Sequence, residues 1–215
     1  MGVDIYASDE EKGEEIKQWW RDNGTSVIVG CILGISVLVG GRYWTTYQQT
    51  YAENGSNYYQ QVISLLAGGS TVEAENTTQK LLGEFSKTPY AVFAAFEMAK
   101  QSATVADFST AKSYLRWVVA NAELAGQIDI AQLRLAQLLL NEVEYQQALD
   151  LVEQPQTAEF ESLFAELRGD IYAAQSQKKL AQVAYQKALL TLNKGEAREQ
   201  LLQLKLDDMM GEQDG

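Results

Sequence analysis

Residues 167–192, LRGDIYAAQSQKKLAQVAYQKALLTL, decide the fold. They read as two short helices joined by a polar turn, with small residues at Gly169, Ala181 and Ala188 and aromatic ones at Tyr172 and Tyr185. A small residue on each helix lets the two backbones approach closely, and the bulky neighbours fill the space that remains. The pattern recurs toward the N-terminus. In residues 133–152, LRLAQLLLNEVEYQQALDLV, the same slots hold Ala136, Leu139, Ala148 and Val152. In residues 96–118 they hold Ala99, Ala111, Leu115 and Val118. The offsets are 33 residues (136 to 169, 148 to 181) and 37 (99 to 136, 111 to 148).

This spacing is that of the tetratricopeptide repeat, in which stacked helical hairpins bury faces that no single hairpin can cover. Three departures accompany it. Arg168 stands where such repeats usually have Leu, Ser102 replaces the aromatic of the earliest unit, and Pro155 replaces the last Ala of the middle one. Residues 195–210 read as a capping helix. Elsewhere the periodicity is also helical, as in Ile128, Ala131, Leu135, Leu138 and Leu139, and no useful strand alternation occurs. Breaks are expected at residues 68–70, 88–89, 105–107, 125–127, 154–156 and 193–195. The expected class is all-α, with residues 45–215 forming a tetratricopeptide-like solenoid long enough for a sizeable core.

A second stretch, residues 23–41, is uncharged and lies between Asp22 and Arg42. As a helix it would measure roughly 28 Å, close to the ~30 Å of bilayer hydrocarbon. Trp19 and Trp20 before it, and Tyr43 and Trp44 after it, place amphipathic rings at both expected interfaces. The competing reading is a buried core helix diluted by glycines. Lys12, Lys17 and Arg21 precede the span and only Arg42 follows closely, so the N-terminus is expected in the cytoplasm and the C-terminal domain across the membrane. A long acidic N-terminal stretch without a small-residue cleavage site argues for a signal anchor, residues 23–44, rather than a cleaved peptide. Cys31 loosely fits a lipoprotein box, but the apolar run continues past it. Residues 1–22 are expected as a charged cytoplasmic tail, disordered or partly helical. The span's helix is expected to continue past Trp44, where Gly55 alone resembles a breaker.

Composition narrows the chemistry. The chain has no His and one Cys, which excludes an intrachain disulfide, a Cys/His metal cluster and histidine acid–base chemistry. A net charge of −12 argues against nucleic acid. The adjacent Asp207 and Asp208, and the acids at Glu10-Glu11 and Glu14-Glu15, read as solvated charges without cleft or loop geometry. No enzyme, cofactor or metal is expected. Binding is therefore the expected work. Counting from the small-residue slots, the exposed face of the first helices carries Phe93, Phe96, Lys100, Leu133, Gln137, Asn141, Glu166 and Asp170, which would suit apolar segments of a client protein. Alternatively Phe93, Phe96 and Leu133 are core, covered by helices from residues 45–86. In the span, Gly30 and Gly34 form a G-x-x-x-G pair with Ser26 on the same face, which reads as a helix-docking surface or as the ordinary glycine content of membrane helices.

The whole layout resembles the YfgM family of bacterial inner-membrane proteins, ancillary subunits of the SecYEG translocon. The resemblance is carried by IKQWWRDNG (16–24), by the glycine-spaced span ending in GGRYW (40–44), and by LRLAQLLL (133–140) and LRGDIYAAQ (167–175). It implies a single-pass protein with a periplasmic tetratricopeptide-like domain. It further implies association with the SecYEG translocon and the periplasmic chaperone PpiD, and a part in passing exported proteins to chaperones. It also implies a cytoplasmic tail that restrains the stress-response regulator RcsB, and no catalytic residues.

Overall fold

The computed structural model describes residues 9–193 and 195–211. Among them the fold is all-helical: α1 (Asp9–Ala67), α2 (Thr71–Glu84), α3 (Pro89–Thr104), α4 (Phe108–Asn121), α5 (Ala125–Asn141), α6 (Tyr145–Leu151), α7 (Glu161–Ala174), α8 (Lys178–Leu190) and α9 (Arg198–Gly211), with a 3-10 turn at Ala158–Phe160. Two compact units divide the chain, Met1–Tyr51 and Ala52–Gly215.

In the first unit, α1 starts at Asp9, so most of the expected tail is helical; residues 1–8 and the side chains of Glu10 and Glu11 lie outside what is described. This is the one described helix long and apolar enough to cross a membrane. Ile32, Leu33, Ile35, Val37, Leu38 and Val39 are all more than half exposed, where the core helix of a soluble protein would bury them. Asn23 Nδ2 donates to Trp19 O at 3.1 Å and Ser36 Oγ to Ile32 O at 2.8 Å, so these polar side chains are satisfied within the helix.

The second unit is a stack of helical hairpins. The overlaid slots are its core: Ala99, Ala111, Leu115, Val118, Ala136, Leu139, Ala148, Val152, Ala181, Tyr185 and Ala188 are all buried. Close approach is tightest at Gly169, where a Cβ would lie 2.9 Å from Tyr185 Cζ and nearer still to two other ring carbons. Only glycine admits that ring. Gly55 does not break α1, because it is where Thr88, just before α3, packs onto the helix; a Cβ there would meet Thr88 Oγ1 at 2.9 Å.

The repeat count differs from expectation. Three units are legible in the sequence, yet the end of α1 and α2 form a fourth hairpin of the same design. Subtracting 37 from Ala99, Ala111, Leu115 and Val118 gives Val62, Ala74, Thr78 and Leu81, all fully buried. The turns confirm the equivalence. Each ends its first helix with a residue at positive φ: Gly69 (77°), Ala106 (60°), Val143 (68°) and Ser176 (60°). Each makes the same paired bonds, Ser70 N to Leu65 O, Asp107 N to Ser102 O, Glu144 N to Leu139 O and Gln177 N to Tyr172 O, at 2.8–2.9 Å.

Two details correct the expected breaks. The turn before α5 lies at residues 122–124 rather than 125–127: Gln127 and Ile128 donate to Leu124 O, so Gly126 sits in the helix's first turn. The middle unit's second helix stops at Leu151. Here the buried Asp129 accepts from Gln156 N (2.6 Å), Thr157 N (3.0 Å) and Thr157 Oγ1 (2.8 Å), organising the chain around Pro155. Arg168 donates to the freed carbonyls of Val152, at 3.1 Å, and Glu153. Two departures from the repeat pattern, Arg168 and Pro155, are thus one local device.

Candidate functional site

Between the first helices α3 and α5 runs a groove of about 470 Å³. Ala99, Ala103, Leu115 and Leu138 line it with apolar surface, while Lys100, Thr104, Arg134 and Gln137 bring polar groups. Small residues at 99 and 103, chosen for close packing, leave the space. Lys100 and Gln137 are therefore brought together, and Gln137 Nε2 also donates to Asn141 Oδ1 at 3.3 Å. Such a surface can bury an apolar side chain while its amide and cations bond a backbone or carboxylate.

The aromatic candidates divide. Phe93 is 40% exposed and joins Tyr59 (centroids 6.0 Å) and Tyr90 (6.5 Å, edge-on) in a partly open cluster. Burial, reinforced by the charge of Glu97, raises the Tyr59 phenol above its ordinary value. Phe96 and Leu133 are half-buried against the core. The Arg134 guanidinium lies 5.1 Å over the Phe96 ring, a contact that sequence reading missed because Arg134 belongs to the neighbouring hairpin.

Glu166 and Asp170 require correction. They do not line this groove, because α9 crosses them with its cations. Arg198 Nη1 bonds Glu166 at 2.6 Å, and Lys205 Nζ bonds Glu166 at 2.9 Å and Asp170 at 2.8 Å. Tyr185 Oη donates to Asp170 at 2.8 Å, and Ser162 Oγ donates to Ala188 O at 2.9 Å. Burial pushes the Tyr185 phenol far above its ordinary range, and Asp170 adds to the shift by charge and hydrogen bonding. For Lys205, burial opposes the charge, but hydrogen bonds to Asp170 and Glu166 outweigh it and hold the amine's pKa above its usual value. These acids fasten the cap.

In the first unit, Ser26, Gly30 and Gly34 share one face of α1, and a Cβ at either glycine would meet nothing within 4 Å. Cys31 is free and exposed. Among the described residues no group of three or more His, Cys, Asp or Glu side chains could hold a metal ion.

Comparison with known proteins covers nearly the whole chain. The relatives include "Ancillary SecYEG translocon subunit" of Haemophilus influenzae, 29% identical over 205 residues, which are 95% of this chain and 99% of that protein. The proteins of the same name from Escherichia coli and Neisseria gonorrhoeae are each 24% identical, over 96% and 95% of this chain and 99% and 98% of theirs. No solved structure gives a significant match. The tetratricopeptide repeat-like domain model matches residues 17–211, taking in most of the apolar helix as well as every hairpin, and the chain belongs to that family.

Proposed function

We propose that this protein is an ancillary subunit of the SecYEG translocon: a non-enzymatic scaffold anchored in the inner membrane by α1. The observation that carries this reading is the full-length likeness to three proteins of that name, joined to one exposed apolar helix and one repeat domain. The charge balance around the span, three cations before it and Arg42 after it, supports an N-terminus in the cytoplasm and a repeat domain in the periplasm. There the α3–α5 groove receives apolar segments of exported proteins before they pass to periplasmic chaperones such as PpiD. Ser26, Gly30 and Gly34 provide a face through which the span meets a translocon helix. Residues 1–22 and 23–44 are the tail and anchor of this arrangement, and residues 45–215 its working domain.

Two experiments test it. A reporter active only after export should work at the C-terminus and fail at the N-terminus; the reverse pattern overturns the topology. A photo-crosslinker at Gln137, exposed on the groove, should capture translocating chains in membranes, and a Gln137 probe that captures none while translocation proceeds removes the client-binding role. A second reading, regulation of RcsB through the tail, draws on the exposed charged helix that runs from Lys12 into the span. Exchange of the tail alone separates it: translocon association survives if the scaffold reading holds.

A further inference from the structure

The second helices of the stack are separated by three grooves, and one is unlike the others. Those between α2 and α4 and between α4 and α6 measure about 290 and 270 Å³. The one between α6 and α8 measures about 780 Å³. Its size has a cause. Helix α6 has seven residues, where α4 has 14 and α8 has 13, because the chain turns away before Pro155. Two walls, from α6 and α8, stand over a floor from α7.

The surface has the character of a docking site. Leu149, Tyr172, Leu180 and Val183 supply its apolar part, and Leu180 and Val183 are 47% and 63% exposed on a helix whose opposite face is core. At one end Gln175 Oε1 is buried and receives no hydrogen bond. At the other, charge is unbalanced. Lys187 and Arg168 both face Glu161, and Arg168 also serves the carbonyls of Val152 and Glu153. Among the described residues neither the Asp150 nor the Glu153 carboxylate forms an ion pair within 4 Å; Asp150 accepts from Gln146 Nε2 at 2.8 Å, and Arg116 lies across the neighbouring α4–α6 groove that Asp150 also lines. The groove's uncompensated charge is negative.

We propose that this groove docks a basic amphipathic helix of a partner protein, two turns or more in length, in the place that a full-length α6 would have narrowed. Its apolar stripe lies on Leu149, Leu180 and Val183, its Lys or Arg flank faces Asp150 and Glu153, and a polar donor reaches Gln175. About eight residues of wall, from Gln146 to Glu153, correspond to roughly 12 Å of helix, or two turns. The chain's net charge of −12 favours encounter with such a partner over an acidic one. This face belongs to the second helices and is independent of the α3–α5 groove.

The test uses the full chain in nanodiscs and three fluorescent 14-residue helical peptides: a Leu stripe with a Lys flank, the same composition scrambled, and the Leu stripe with a Glu flank. Empty nanodiscs give the background. The Lys-flanked peptide should bind at least tenfold tighter than either other. The pair Leu180→Gln and Val183→Gln should reduce its affinity tenfold or more. The pair Asp150→Asn and Glu153→Gln should reduce it severalfold and flatten its salt dependence. All four side chains are exposed, so unchanged thermal unfolding certifies that the variants are folded. Equal binding of the Lys-flanked and scrambled peptides overturns the proposal, as does full affinity in the Leu180/Val183 variant. Preference for the Glu flank overturns the charge assignment. Changes at Gln137 should leave peptide binding untouched, which keeps this result separate from that of client capture.

Discussion

The two buried clusters of the repeat domain are held together by different physics. The larger one, from Val62 to Ile171, is aliphatic and aromatic, with Leu81, Met98, Val118 and Phe164 wholly enclosed. The smaller, around Ala165, Ala181, Tyr185, Ala188, Leu202 and Leu206, is ringed by Glu166, Asp170, Arg198 and Lys205. A cap helix has few apolar neighbours, so charged groups complete its attachment. The C-terminal end should therefore respond to pH and salt, and the larger cluster to cavities and strain.

The sharpest way to break the smaller cluster is steric. Gly169→Ala puts a methyl inside the Tyr185 ring's contact shell and displaces the phenol from Asp170. Overpacking of this kind costs about 1–3 kcal/mol, and its sign is set by how little the ring can move between α7 and α8. Urea unfolding should show a lower midpoint, and α9 should become the first site of proteolysis. Restoring space with Tyr185→Leu in the same chain should recover part of the loss.

Charge comes next. Lys205→Met should loosen α9 by about 1 kcal/mol, because each of these side chains keeps some solvent contact that screens the pairing. Lys205 and Tyr185 both hold their protons more tightly in the folded state, so their contribution is complete below the ordinary lysine and phenol values and is lost as pH rises through the folded ones. Pulse proteolysis should show α9 held unchanged up to about pH 10 and loosening only above the ordinary phenol and lysine values of 10.0 and 10.5, with Lys205→Met flattening that dependence. An α9 release that ignores both pH and the substitution would assign the cap to Leu202 and Leu206 alone.

The larger cluster contains an error that can be repaired. Thr78 occupies the slot of Leu115, Val152 and Tyr185, fully buried, and its Oγ1 finds no partner. Thr78→Val replaces a hydroxyl with a methyl of similar volume, as Val152 already does two repeats away. Removing an unsatisfied buried group should stabilise the fold by about 1 kcal/mol, read as a higher urea midpoint with unchanged slope. No gain would mean that the hydroxyl is satisfied in solution.

What sequence reading could and could not reach follows from range. The small-residue slots are local, and Ala99, Ala136 and Gly169 were legible as close-approach points from spacing alone. The α1–α2 hairpin was not, since its first helix is fused to the span's helix and Thr78 interrupts its apolar pattern. Asp129 sits between the apolar Ile128 and Ala131 and reads as a surface charge; the amides that bury it are 27 and 28 residues away. Glu166 and Asp170 look like outward acids because their cations lie 32 to 39 residues further on. Asp129, Glu166 and Asp170 are polar groups whose partners come from distant elements.

The smallest expected effect concerns the turns that both clusters share. Gly69 takes positive φ without strain, whereas Val143 holds φ 68° with a β-branched side chain that is 64% exposed. Such strain costs on the order of 1–3 kcal/mol; a glycine there relieves it, and the freer unfolded chain of glycine offsets roughly 0.5–1 kcal/mol of that gain. Val143→Gly should therefore stabilise by about 0.5–1 kcal/mol, with little burial lost. Ala106→Gly and Ser176→Gly should gain less, having unbranched side chains to relieve. The comparison also discriminates between clusters. The Val143 turn joins α5 to α6 in the larger one and the Ser176 turn joins α7 to α8 beside the smaller, so the first should raise the global urea midpoint and the second should mainly delay proteolysis of α8 and α9. Equal gains at both turns would mean that the hairpins unfold as one cooperative stack, in which strain relieved anywhere is shared by the whole domain.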